Sequence, residues 1–138
     1  MTPSYDDLYW NSSDGLRLHA RDHAPAAGQP PRGTVVCIPG LTRNAADFDA
    51  LAHALTAAGW RVLAVDLRGR ARSARAPDPS GYNPRAYADD MVALLQSQNI
   101  DKAVFIGTSL GVLVTITLAS RAPERIAAAV LNDAGPKV

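Results

Sequence analysis

The sequence predicts an α/β protein: a mostly parallel sheet of about six strands, with an N-terminal antiparallel hairpin and helices on both faces. Three observations carry that expectation. Short apolar runs alternate with segments of helical periodicity, as right-handed β-α-β crossovers require. The first two strand-like segments flank Asp14-Gly15, a hairpin turn signal. The later strand segments are continuously apolar, as strands covered on both faces must be.

The 138 residues suit a single domain spanning the whole chain, 1–138. A hydrophobic fraction of 47% is enough to bury a core, which excludes a wholly disordered chain. The formal charge of +1 gives no electrostatic case for nucleic acid or a membrane surface as partner. One cysteine cannot form an internal disulfide, so the stapled secreted classes are excluded. The first residues carry neither a basic nor an apolar leader, and the expected compartment is the cytoplasm. Residues 103–120 are uncharged, but the internal Gly107-Thr108-Ser109-Leu110-Gly111 is a turn signal. The stretch therefore reads as strand, turn and helix rather than a membrane span.

The elements follow in order. Leu16, Leu18 and Ala20 alternate with Arg17, His19 and Arg21, the period of a half-buried strand, and the segment around Leu8-Tyr9-Trp10 is its hairpin partner. Residues 25–33 hold three prolines and two glycines and form a loop. Thr34-Val35-Val36-Cys37-Ile38 is a buried strand stopped by Pro39-Gly40. Asn44 and Asp47 resemble a helix start, with Phe48, Leu51, Ala52 and Leu55 on one face and Gly59 as the closing cap. Residues 61–66 form the next strand. Asn83-Pro84 supplies a cap and first-turn proline to a helix burying Tyr87, Met91, Leu94 and Leu95. Residues 103–106 are a strand, 110–122 a helix and 127–131 a last strand.

Gly107-Thr108-Ser109-Leu110-Gly111 matches G-x-S-x-G between a buried strand and a helix. The serine of such a turn has strained backbone angles, and glycines two residues to either side remove side chains that would collide. Its hydroxyl emerges at a helix N-terminus, where free N–H groups and the helix dipole favour an oxyanion. The backbone N–H of Leu110 is the first expected oxyanion donor. That of Leu41, after Pro39-Gly40, is the second. Between Arg68 and Arg75 lie four arginines. With the chain near neutral overall, this segment reads as a solvated loop, with Asp66 and Arg68 in local hydrogen bonds, rather than a phosphate site. Neither G-x-G-x-x-G nor G-x-x-x-x-G-K-[ST] occurs, which disfavours nucleotide binding.

Three segments, in this order, resemble the N-terminal half of the α/β-hydrolase fold superfamily. Val36-Cys37-Ile38-Pro39-Gly40-Leu41 is similar to its oxyanion strand and loop. Asp66-Leu67-Arg68-Gly69-Arg70-Ala71-Arg72-Ser73 is similar to its D-x-R-G-x-G-x-S segment, and residues 107–111 to its nucleophile elbow. The nearest likeness is to esterase-like, lactonase-like and carbon–carbon bond hydrolase members. The resemblance implies Ser109 as nucleophile, the Leu41 and Leu110 amides as oxyanion hole, a small ester-like substrate, and no cofactor or metal.

Some residues depart from that pattern. Ala71 stands where glycine is usual, and Val112 where many members have glycine or alanine. Val112, Val114, Thr115, Ile116 and Thr117 make the elbow helix unusually β-branched. The superfamily's order is Ser, then Asp or Glu, then His. Asp133 is a possible acid, but His19, His23 and His53 all precede Ser109 and read as surface residues. The expectation is a truncated serine-hydrolase-type domain, inactive or weakly active alone. The alternative is a non-catalytic scaffold or fragment. Either way the last strand would be a bare apolar edge, so a homo-oligomer, a dimer first, is expected.

Overall fold

The computed structural model describes residues 4–40 and 43–132. Strands β1 (Asp6–Asn11) and β2 (Arg17–His23) precede β3 (Gly33–Ile38), α1 (Asp49–Ala57), β4 (Trp60–Asp66), α2 (Pro84–Ser97), β5 (Ala103–Thr108), α3 (Leu110–Arg121) and β6 (Ile126–Asn132). The expected order of strands and helices holds throughout. Three short 3-10 turns are added, at Ala45–Phe48, Pro79–Gly81 and Pro123–Arg125.

The sheet order is β1-β2-β4-β3-β5-β6. β1 and β2 form the hairpin, β2 joins β4 antiparallel, and the remaining neighbours are parallel. The period of two along β3 and β4 sorts their side chains between two cores. Val36, Ile38, Leu63 and Val65 pack with α2 and α3 residues such as Met91, Leu95, Val114 and Leu118. Val35, Cys37, Val62 and Ala64 pack with Ala45, Phe48 and Ala52 on the opposite face. This double covering explains why the two strands read as unbroken apolar runs.

Capping is legible residue by residue. The Asn83 side chain accepts from the Ala86 N–H, with Pro84 in the first turn of α2. Asn44 accepts from the Ala46 N–H and opens the 3-10 turn that runs into α1. Leu51 departs from the expected buried face and is exposed, whereas Phe48 and Ala52 are buried. The β-branched α3 forms because its core face is fully covered: Val114 and Leu118 are both 0% exposed. Each such side chain contributes about 1.5–3 kcal/mol on burial, more than the few tenths lost to poor helix propensity.

Two sequence expectations are corrected here. His19 and His23 are not surface residues; each is 1% exposed. β2 lies between β1 and β4 rather than at the edge, and its polar-reading face is covered: Asp7, Asp66 and the Tyr9 ring lie against His19, and the Tyr5 ring against His23. The arginine-rich segment is not wholly solvated either. Arg70, Arg72 and Arg75 are exposed, but the Arg68 side chain is buried. Arg68 donates to Asp90 from Nε and Nη2, to Asp14 from both Nη atoms, and to the Gly81 carbonyl. These are long-range bonds rather than local ones. Arg68 beside it holds the Asp14 carboxyl down to about 2, and the Asp90 hydrogen bond raises Arg68 above the ordinary arginine range. His53 is exposed, as expected.

Candidate active site

The site is built where β5 ends. Ser109 follows β5 and adopts φ 55°, ψ −112°, a left-handed conformation costly for any residue with a Cβ. Two glycines make the bend possible. A Cβ on Gly107 would collide with the Gly111 carbonyl, and one on Gly111 would collide with the Ile38 carbonyl of β3. Helix and strands thus meet backbone against backbone, and the helix axis starts directly behind the serine. The Ser109 N–H donates to the Asn132 carbonyl at 3.2 Å, which ties the bend to β6. Inside α3, Thr115 Oγ1 donates back to the Gly111 carbonyl at 2.8 Å.

Ser109 is exposed. Leu110 is the first residue of α3, so its N–H has no carbonyl one turn earlier to donate to. The backbone at Gly40, after β3, lies opposite: a Cβ built there would stand 3.4 Å from Ser109 Cβ and 3.8 Å from Ser109 Oγ. A reacting group placed on the serine would therefore sit between the start of α3 and the connection leaving β3. Leu41 and Asp133 lie outside the described residues.

Among the described residues no imidazole is hydrogen-bonded to Ser109. The two buried histidines are held elsewhere. His19 Nδ1 lies 2.6 Å from Asp66 Oδ2, and Nε2 lies 2.7 Å from Asp7 Oδ1. His23 packs against the Tyr5 ring, and burial pushes its imidazole below the ordinary range against a smaller opposing pull from Asp49. No group of histidine, cysteine and carboxylate side chains suited to a metal ion occurs among the described residues. Cys37 is fully buried, and burial pushes its thiol up to about 12, which leaves it without thiolate character.

Sequence reading missed the His19–Asp66 pair. The signal was faint: a histidine in one strand and an aspartate ending another, which the sheet brings into direct register. Once the pair is placed, the segment from Asp66 to Ser73 becomes intelligible. Asp66 also accepts from the Ala45 N–H, and Ser73 Oγ bridges the Asp66 carbonyl and the His19 N–H.

This combination of a glycine-packed strand-to-helix bend and a supported connection after β3 has known counterparts. A sequence profile described as alpha/beta hydrolase fold matches residues 33–137. The chain belongs to the alpha/beta hydrolase fold family. A 3-hydroxybutyrate-oligomer hydrolase of Cupriavidus necator is 40% identical over 112 residues, covering 80% of this chain and 38% of that protein. The solved alpha/beta hydrolase from Novosphingobium aromaticivorans superimposes with a TM-score of 0.83 at 54% identity, covering 100% of this chain and 47% of that one. Epoxide Hydrolase A from Mycobacterium thermoresistibile superimposes at 0.82 and 29% identity, covering 93% and 39%. The hydrolase-fold chain thus spans less than half the length of each of these relatives. No helix among its described residues is long and apolar enough to cross a membrane.

Proposed function

We propose that Ser109 is the nucleophile of an acyl hydrolase whose substrates are small carboxylic esters. The observation that carries this reading is the exposed serine at φ 55°, with glycines on either side that no larger residue could replace. Such strain persists where a reactive side chain must be aimed. In the proposed reaction Ser109 Oγ attacks the ester carbonyl carbon. The oxyanion that forms is held by the Leu110 N–H and, from its place in the sequence, the Leu41 N–H. Collapse breaks the ester C–O bond, the departing alkoxide takes up the proton given up by Ser109 and leaves as the alcohol, and water then cleaves the acyl-serine to the carboxylic acid and the free hydroxyl.

Serine chemistry favours esters over epoxides. Attack of a hydroxyl on an epoxide would leave an ether on Ser109, with no carbonyl for water to attack. The oligoester-cleaving relative from Cupriavidus necator is in line with this preference. Ser109 needs a general base, and His19 has both ring nitrogens engaged by carboxylates. The chain by itself is therefore expected to turn over slowly or not at all, with Asp133 as the proposed acid should a histidine be supplied. A non-catalytic scaffold is the second reading, favoured because no imidazole among the described residues is hydrogen-bonded to Ser109.

A fluorophosphonate probe separates the two. The expected result is covalent labelling of Ser109, located by peptide mass spectrometry and abolished by Ser109→Ala. A folded chain that resists the probe at every concentration would overturn the nucleophile assignment. Fast turnover of an aryl ester, lost in Ser109→Ala, would overturn the scaffold reading and the expectation of slow turnover.

A further inference from the structure

We infer that His19 is a positioning residue: it orients Asp66 so that this carboxylate holds the Ala45 N–H and thereby fixes the backbone that faces Ser109. The inference rests on the acyl-hydrolase reading only for its consequence at Ser109; the tether itself stands on geometry.

Asp66 ends β4 and is 3% exposed. Its two oxygens are divided between two tasks. Oδ1 accepts from the Ala45 N–H at 2.8 Å, and Oδ2 faces His19 Nδ1 at 2.6 Å. Ala45 is 1% exposed and starts the 3-10 turn that closes the connection leaving β3. At the other end of this connection Gly40 lies against Ser109, and its carbonyl accepts from the Arg43 N–H at 3.1 Å. The connection is thus pinned at Ala45 by a side chain from β4, whose rotamer is set by a side chain from β2.

His19 suits this task and no catalytic one. It is buried, its far nitrogen faces Asp7, and Asp7 is in turn paired with Arg72 at 2.9 Å. The Asp66 carboxylate accepts, so the ring nitrogen that faces it, Nδ1, is the donor of the tether. Charge-assisted bonds of this length are the strong kind, and a buried carboxylate with a free oxygen would turn to find another donor. Removing the donor at Nδ1 therefore frees Asp66 from the orientation that suits Ala45.

Two substitutions separate the halves of the ring. His19→Asn keeps an amide nitrogen near the position of Nδ1, and His19→Gln keeps one near Nε2. Amide hydrogen exchange by NMR reads the tether without any reference to chemistry at Ser109. In His19→Gln the Ala45 N–H is expected to exchange about tenfold faster, while the core amides of Val36 and Phe105 keep their protection. In His19→Asn the Ala45 N–H should stay close to the parent rate. The fluorophosphonate reaction supplies the second readout: the maximal labelling rate falls in His19→Gln with the apparent probe affinity unchanged, and His19→Asn restores it. Equal exchange at Ala45 in the parent and both variants overturns the tether. Loss of protection at Ala45, Val36 and Phe105 together also overturns it, by showing a general loss of stability. A parent chain that exchanges as expected but is never labelled overturns the nucleophile reading and leaves the tether standing.

Discussion

Ala71 sits at φ 43°, in the left-handed region where an L-residue is strained. The family pattern usually has glycine at this place, and the backbone angle gives the reason. Ala71→Gly is expected to stabilise the chain by about 0.5–1 kcal/mol, the relief of strain exceeding the added freedom of the unfolded chain. A shift of the urea midpoint to higher concentration checks it. Gly111 is the opposite case. A Cβ there meets a β3 carbonyl, which is backbone and cannot swing aside. Gly111→Ala should cost about 2–3 kcal/mol by overpacking and should lower the melting temperature more than a change at exposed Leu113. These glycines were legible in the sequence, because the G-x-S-x-G spacing has a steric reason. His19 was not legible: alternation assigns a residue to a face but does not show what covers that face.

At the scale of elements, β2 shows how burial changes the chemistry of a strand that reads as polar. His23 and Asp49 approach no closer than 3.9 Å, while Arg21 takes the other Asp49 oxygen at 2.7 Å. Burial disfavours the charged imidazole, so the folded chain takes up the His23 proton at lower pH than the unfolded chain does. Below the unfolded value of about 6.5 the unfolded state binds more protons, so this contribution to stability, present at about pH 7, is diminished at about pH 5. Urea titrations at both pH values should show the loss, and His23→Gln should flatten it. Asp14, held near 2, acts only in the more acidic range below the ordinary carboxylate value. The helices were the most legible elements. Asn44 and Asn83 carry their caps in the sequence, and Tyr87, Met91, Leu94 and Leu95 fall on the buried face that their spacing predicts.

For the whole molecule, strand order was not legible from the pattern of residues. β4 inserts between β2 and β3, and that insertion alone creates the His19–Asp66 register. The far side of the sheet was more legible. β6 has no outer neighbour among the described residues, and Val130 and Leu131 are 54% and 47% exposed. Its residues include no charge and no proline, the usual guards of an edge. We propose that it pairs with β6 of a second copy, since two uncharged strands meet without repulsion. Light scattering at micromolar concentration should report a dimer, and Val130→Lys should shift it to monomer. A monodisperse parent monomer would contradict this pairing.

The Asn132 carbonyl that receives the Ser109 amide belongs to this same outermost strand. Mechanical stress applied along the rim of the sheet therefore reaches the hydroxyl-bearing bend through this bond as well as through the ladder that joins β6 to β5. A second copy paired along that rim should steady the bend, so association and reactivity are expected to rise and fall together.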